Sequence, residues 1–390
     1  MFLPLKYNLR SLMVRRTSTT MTAVSIGLVV AVSVGIMALA RGIDLALVAT
    51  GDPRNVILLR KGSLVETSST IPRDALQVIR YLDGIEVGPA GQPHVSPELV
   101  VLVNLRRAAA EGRSNVTIRG LTPTGMALRP EVRIVRGQPF RPGVRELMVS
   151  RTLAARFRDL GLGDRVRLGK STWTVAGYFD ATGTAHDSEI WADVHELAED
   201  FDRTMYSAVL LRPTDPGAGA RLIAAINEDQ RLHMRAMTER AYYMEQTKSS
   251  RPIKALGTFL AGVMAIGACF AAMNTMYAAV ATRAREISIL RTLGFPRGAI
   301  LASFLIESLI LAGAGGVLGC LLALPLNGLT TGTTNFRTFS ELAFAFRVTP
   351  RLLGAGLAFA GAMGLLGGLL PARLAARQAL VRGLRDAGAR

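Results

Sequence analysis

Hydrophobic and polar positions are segregated along this chain. Four long apolar runs stand out: 17–40, 255–282 and 352–372 carry no charged residue, and 298–336 carries only Glu307. A bilayer core of ~30 Å needs ~20 consecutive apolar residues in a helix, and each run reaches that length. The third leaves room for a span and a short loop. The pattern predicts a membrane protein: a four-helix transmembrane bundle with a large α+β extracytoplasmic domain inserted between helices 1 and 2. The segments are a cytoplasmic N-terminal piece (1–16), helix 1 (17–40), the outer domain (41–254), helix 2 (255–282), a cytoplasmic helix and loop (283–297), helix 3 (298–326), a short outer loop (327–351), helix 4 (352–372) and a cytoplasmic tail (373–390). The first run has a basic start and an Ala38-Leu39-Ala40 triplet like those of cleaved leaders. It exceeds the ~7–15 residues of a leader's apolar region and reads as a span.

The period changes inside 41–254. Pro72 opens a helix, at its first helical position, in which Leu76, Ile79 and Leu82 share a face. Strand-like runs follow at 98–102, 115–119, 131–135 and 146–149. Ser150 can cap a helix running through Arg158. Residues 165–168 and 172–176 alternate with period two about a Gly169-Lys170 turn. Strands at 188–191 and 206–211 and a helix at 219–228 complete the domain. Between Glu239 and Thr282 only Pro252 interrupts the helical pattern leading into span 2.

The net charge of +17 is a topology signal. The outer segment is nearly balanced, with 30 Lys/Arg against 25 Asp/Glu over 41–254. Thirteen basic residues lie in the three pieces that share the other side: Lys6, Arg10, Arg15, Arg16, Arg283, Arg285, Arg291, Arg297, Arg373, Arg377, Arg382, Arg385 and Arg390. Only Arg337, Arg347 and Arg351 lie in the short loop opposite. The positive-inside rule then puts both termini in the cytoplasm. A nucleic-acid ligand would call for a basic stripe on one face, and none is expected.

Candidate chemistry is sparse. The stretch from Gly163 to Gly169-Lys170-Ser171 places five residues between its glycines where a phosphate-binding loop needs four, and it alternates like a hairpin. Cys269 and Cys320 lie inside apolar runs and read as packing residues, without disulfide or zinc partners. His94, His186, His195 and His233 have no metal-ligand spacing and read as surface residues. No nucleophile elbow marks the outer segment as an enzyme.

The loop after span 2 is more informative. In Arg285-Glu286-Ile287 through Leu290-Arg291-Thr292-Leu293-Gly294, the residues Ile287, Leu290 and Leu293 fall at helical spacing, with Ile289 beside them. Gly294 and Pro296 then stop the helix. This amphipathic helix could rest on lipid or plug into a cytoplasmic partner. Glu307, about nine residues into span 3, is an ionisable group in a span, within reach of Arg283 or Arg291. Gly315, Gly316 and Gly319 in span 3, and Gly364 and Gly368 in span 4, permit close helix packing.

The block Arg285-Glu286-Ile287, Leu290-Arg291-Thr292-Leu293-Gly294, Phe304-Leu305, Glu307-Ser308 and Gly315-Gly316 with Gly319 resembles the permease block of MacB/FtsX-type ABC transporters. The closing Pro371-Ala372-Arg373 and Leu384-Arg385 resemble that family's C-terminal pattern, although Leu380–Arg385 lacks its usual Glu. Arg119-Gly120-Leu121, Arg136-Gly137-Gln138-Pro139-Phe140 and Leu160-Gly161 with Gly163-Asp164 resemble its outer domain. The resemblance implies a porter-like module with a β-rich insert at about 113–200. It implies a non-catalytic permease, with no cofactor in this chain and with ATP and Mg held by a separate ABC ATPase subunit. Arg285, Glu286, Ile287, Leu290, Arg291, Leu293 and Gly294 would form the ATPase-coupling helix. A second permease copy, in a homo- or heterodimer, and a periplasmic adaptor are the further partners implied. The function implied is mechanotransmission, in which ATP hydrolysis moves the outer domain to export or extract a substrate. The alternative is a non-transporting relay scaffold of the same fold that activates an outer partner enzyme.

Overall fold

The computed structural model describes residues 13–14, 16–88, 91–108, 111–334 and 338–377. Lys6, Arg10, Arg15, Arg337, Arg382, Arg385, Arg390 and the closing 380–385 motif lie outside the described residues. In chain order the elements are α1 (Arg16–Thr50), β1 (Val56–Arg60), α2 (Arg73–Arg80), β2 (Val95–Arg106), β3 (Arg113–Leu121), α3 (Pro123–Ala127), β4 (Arg133–Gly137), β5 (Glu146–Ser150), α4 (Arg151–Ala154), β6 (Arg165–Leu168), β7 (Ser171–Asp180), β8 (Glu189–Asp193), α5 (Val194–Asp200), β9 (Ala208–Leu211), α6 (Pro216–Glu228), β10 (Met234–Thr238), α7 (Glu239–Gln246), α8 (Arg251–Thr282), α9 (Ala284–Thr292), α10 (Arg297–Ala323), β11 (Thr330–Thr334), β12 (Glu341–Ala345) and α11 (Pro350–Arg377). Four of these helical stretches are long and apolar enough to cross a membrane: α1, the stretch ending in α8, the stretch opened by α10, and α11.

The chain forms two compact units. The first comprises Met1–Arg41, Pro252–Leu329 and Phe346–Arg390, and its described residues are mostly helical. The second comprises Gly42–Arg251 and Thr330–Ala345. The second unit is built on a sheet ordered β10-β1-β9-β2-β3-β8-β5-β7-β4, with β6 paired to β7. The twelve-residue β2 joins its halves. Val95–Glu98 pairs with β9, and Leu99–Arg106 pairs with β3. The expected insert therefore shares one sheet with the rest of the unit. Alternation is clear along β7, where Trp173, Val175, Gly177 and Phe179 are buried and Thr174, Ala176 and Tyr178 between them are not. Gly169 turns β6 into β7 at a φ of +58°, a left-handed conformation that glycine adopts without strain.

Several expectations shift. Pro72 occupies the N-cap of α2, one place before the first helical position. The helix after Ser150 ends at Ala154, because the next residues are drawn into strand-like pairing. Phe157 bridges to Arg107, and Arg158 N–H donates to the Arg106 carbonyl at 3.0 Å. β1 and β10 are strands at positions where the sequence pattern predicts none. The expected short outer loop is a hairpin, β11–β12, in register from Thr330↔Ala345 to Thr334↔Glu341. Glu341 is buried and ion-paired to Arg107 at 2.8 Å and to Arg156.

The largest correction concerns His186. It is fully buried, and it sits in an ionic network that spans the sheet. Arg119 donates to Glu66 and Glu98 through Nη1, at 2.6 and 2.7 Å, and to Glu189 through Nη2, at 2.8 Å. Arg129 donates to Glu98 Oε1 at 2.6 Å and to His186 Nε2 at 3.3 Å. The imidazole proton then lies on Nδ1, 2.9 Å from Glu189 Oε2. Glu239 lies 3.5 Å from Arg129 and accepts from Asn55 at 2.9 Å. Burial opposes ionisation of Glu98, but Arg129 and Arg119 outweigh it and hold the carboxyl below its ordinary value. Burial likewise opposes ionisation of Glu189, yet Arg119 and His186 hold it well below that value. Burial of Glu239 is not offset by Arg129, and its carboxyl is raised.

These directions have opposite consequences for stability. The contributions of Glu98 and Glu189 are present above the ordinary carboxylate value of 4.5 and are lost as pH falls through their depressed values. The contribution of Glu239 is present below 4.5 and is lost as pH rises through its raised value. At pH 7, Glu98→Gln should cost about 3–5 kcal/mol, because two guanidiniums lose a buried counter-charge. Glu239→Gln should be neutral or stabilising. When unfolding midpoints of the full-length protein in detergent are compared from pH 8 to pH 4, the Glu239→Gln difference should shrink as pH falls toward 4.5, whereas the Glu98→Gln penalty should persist to about 4.5 and decline only below it. Equal penalties for the two variants at pH 7 would contradict this charge assignment.

Candidate functional site

The candidate site is α9 and the ends of the helices that hold it. The chain breaks between α8 and α9 at Arg283, whose φ of −106° and ψ of 12° leave the α region. Its guanidinium donates to Glu307 Oε2 of α10 at 3.0 Å and to Glu286 Oε2 at 3.2 Å, and it lies 5.6 Å from the centre of the Phe304 ring. Glu307 is 3% exposed. A buried carboxylate needs such a partner, and of the two arginines expected within reach, it is Arg283 whose guanidinium bonds it. Ile287 packs in an apolar cluster with Met276 and Val280 of α8, Ile300 and Phe304 of α10, and Ala372 and Ala375 of α11. One side of α9 is thereby fixed to the bundle.

This splits the expected apolar stripe. Ile287 faces inward at 3% exposure, Leu290 is half-buried, and Leu293 faces outward at 71%. Ile289, four residues before Leu293, is 48% exposed. Arg285 and Glu286 are exposed on the same outer side. The presented face is therefore Arg285, Glu286, Ile289 and Leu293. Ile287 belongs to the fixed side because residues two apart on a helix point away from each other. The Nε–H of Arg291 is buried with no hydrogen-bond acceptor among the described residues. Gly294, at a φ of +91°, ends the helix, with its N–H on the Arg291 carbonyl at 3.2 Å.

The glycines are used inside the bundle. A Cβ on Gly315 would lie 2.7 Å from the Ala23 carbonyl oxygen of α1, and one on Gly319 would meet Gly27 and Val30 of α1. Gly316 faces Ala360 of α11, where a Cβ would lie 2.8 Å from its methyl. Gly364 and Gly368 face α10 at Ala312 and Ser308, each at 2.5 Å for a built Cβ. The Ser308 hydroxyl donates to the Gly364 carbonyl. Cys269 and Cys320 pack as thiols within this bundle.

Residues 17–228 match the family model described as MacB-like periplasmic core domain, and residues 258–380 match that described as FtsX-like permease C-terminal. The first alone covers more than half of the chain. The chain belongs to the MacB/FtsX-type ABC transporter permeases. A macrolide export ATP-binding/permease protein MacB from Hyphomonas neptunium is 28% identical over 56% of this chain and 34% of its own length. The uncharacterized ABC transporter permease YknZ of Bacillus subtilis is 30% identical over 32% of this chain and 30% of its own. This permease thus matches only about a third of the length of these relatives. The solved extracellular domain of YknZ from Gram-positive bacteria aligns over 47% of the chain and all of its own at 17% identity, with a TM-score of 0.36.

In the permease, substitutions should separate glycines that touch another helix from glycines that do not. Gly315→Ala and Gly319→Ala should each destabilise the bundle by about 1–3 kcal/mol through overpacking. Gly313→Ala and Gly361→Ala, where a built Cβ meets no atom within 4 Å, should leave the thermal midpoint in detergent unchanged or raised. A uniform effect across the four variants would contradict this packing.

Proposed function

We propose that this permease couples ATP hydrolysis by a separate cytoplasmic ATPase subunit to movement of its extracytoplasmic domain, exporting or extracting a substrate. The observation that carries the reading is the division of α9. One face is held by Arg283–Glu307 and Ile287, while Arg285, Glu286, Ile289 and Leu293 are presented outward. A helix resting on lipid needs only its apolar stripe. A coupling helix needs a rigid attachment on one side and a mixed apolar and charged face on the other. The unsatisfied Arg291 Nε–H is a group that an acidic acceptor on a partner would complete. ATP and Mg would be bound by the partner, and this chain would contribute no catalytic residue. A second permease copy would complete the transporter, with both termini in the cytoplasm. Export is the direction carried in the name of the MacB relatives.

Burying one leucine contributes ~1.5–3 kcal/mol, so a charge in its place should weaken docking by roughly 10- to 150-fold. Leu293→Asp and Ile289→Asp should insert normally yet lose the ATPase in a pull-down and lose stimulation of its turnover. Leu290→Asp should do so less, and Ile287→Asp should impair the bundle itself. Full retention of the ATPase by membrane-inserted Leu293→Asp, with normal turnover, would remove the assignment. Orientation is checked separately. A cysteine at exposed Arg203 should react with an impermeant maleimide on intact cells, and one at Arg285 only after permeabilisation. The reverse pattern would invert the proposed topology.

A further inference from the structure

We infer that the outer unit carries a binding groove for a ligand with clustered phosphate groups, walled by strands β2 and β6. The groove encloses about 490 Å³, and residues 102–106 and 165–169 form its two walls. Its charged lining is Arg106, Arg113, Arg158, Arg165 and Arg167 against a single acid, Asp159. This concentration is unusual in a segment that is nearly balanced, with 30 basic against 25 acidic residues over 41–254.

The strand pattern produces it. On β6, Val166 and Leu168 are buried and anchor the strand in the core, so Arg165 and Arg167 both project outward. β6 pairs only with β7, and β2 pairs with β9 only over Val95–Glu98, so both walls present open strand edges among the described residues. The backbone bond from Arg158 to Arg106 closes one end at 3.0 Å. Arg113 is held without an acid: its Nε donates to Asn104 Oδ1 at 2.5 Å and its Nη2 to the Asn104 carbonyl at 2.6 Å.

Elsewhere on this unit, some exposed arginines take a nearby acid, as Arg54 does with Asp52, Arg141 with Glu146, Arg151 with Asp180 and Arg231 with Asp229, while Arg133 and Arg136 of β4 stand exposed without one among the described residues but line no groove with other arginines. The five groove arginines make no ion pair within 4 Å among the described residues. Like charges gathered without counter-charges repel one another, and an anion in the groove relieves that repulsion. All five cations are arginine, whose planar fork meets phosphate oxygens two at a time. A ligand with two or more adjacent phosphates, free or on a lipid headgroup, matches five guanidiniums lining one groove, four of them with no acid or Asn holding the fork, better than an isolated carboxylate does.

The test uses the full-length permease in neutral detergent, with inorganic tripolyphosphate as probe in calorimetric titration. Saturable, salt-sensitive binding is expected, weakened at least tenfold in Arg165→Gln/Arg167→Gln. It should be unchanged in Arg133→Gln/Arg136→Gln, which removes two exposed charges from β4. Phosphatidylglycerol micelles that compete with tripolyphosphate, where phosphatidylcholine micelles do not, would place the phosphate on a lipid. Failure of both to compete would place it on a soluble ligand. Absence of saturable binding, equal loss in the two double variants, or equal binding of a polyglutamate of matched charge would each overturn the proposal. None of these outcomes depends on the ATPase.

Discussion

Glu98 cannot be buried as a carboxylate unless it is surrounded by charge, and the outer unit is organised around that requirement. It is fully enclosed where β2 passes from pairing with β9 to pairing with β3. Arg119 of β3 and Arg129, two residues past α3, both reach it. Two buried guanidiniums then demand more anions than one. Glu66 comes from the 3-10 turn after β1, Glu189 from β8 and Glu239 from the start of α7. Burial works against the charge of both guanidiniums, but Glu189 and Glu66 around Arg119, and Glu98 and Glu239 around Arg129, outweigh it and raise both. The network ties β2, β3, β8, the 3-10 turn after β1 and the start of α7 to one centre. Four carboxylates face two guanidiniums, and the surplus negative charge falls on Glu239, the group least compensated and the one whose carboxyl is raised.

The helical unit solves a related problem with fewer parts. Glu307 would be costly in an apolar span. Arg283 meets it, and because Arg283 sits at the break between α8 and α9, the ion pair also sets where α9 leaves the bundle. The same guanidinium holds Glu286 in the first turn of α9. One buried charge pair and one buried isoleucine thus determine which half of a nine-residue helix is presented. A short amphipathic helix is marginal alone in water, so its geometry depends on these anchors more than on its own propensity.

What the sequence discloses follows the range of the interaction concerned. An uncharged run of twenty residues is a demand of the bilayer that local composition cannot hide, and the four apolar runs are plain. The β6–β7 hairpin was legible because alternation and a Gly-Lys turn are local. β1 and β10 were not, because Val56–Leu59 is buried on both faces and loses the alternation that marks a strand. The ionic network was invisible because Glu66, Glu98, Arg119, Arg129, His186, Glu189 and Glu239 are scattered over more than 170 positions and pair only after the sheet forms. His186 looked like a surface residue for that reason. On α9 the apolar pattern fits two orientations, since Ile287 and Ile289 point to opposite sides. Arg283–Glu307, a contact across 24 positions, and the packing of Ile287 against α8, α10 and α11 select between them.

The hairpin between α10 and α11 adds a constraint that a plain loop would not. Glu341 is buried by two arginines of the outer unit, Arg107 at the end of β2 and Arg156 beyond α4, and Ala343 N–H donates to the Ser188 hydroxyl at 2.6 Å. Leu342 and Phe344 are buried with it. Withdrawing this strand would expose two apolar side chains and strand a carboxylate and two guanidiniums, a combination that resists local fraying. The chain enters and leaves the outer unit at four points, Arg41–Gly42, Arg251–Pro252, Leu329–Thr330 and Ala345–Phe346. Two of these belong to the hairpin. α10 and α11 are themselves locked by the Ser308–Gly364 bond and by glycine contacts too close for a Cβ. At two of the four points where the chain passes between the units, then, the segment inside the second unit is held there by buried charge as well as by apolar packing.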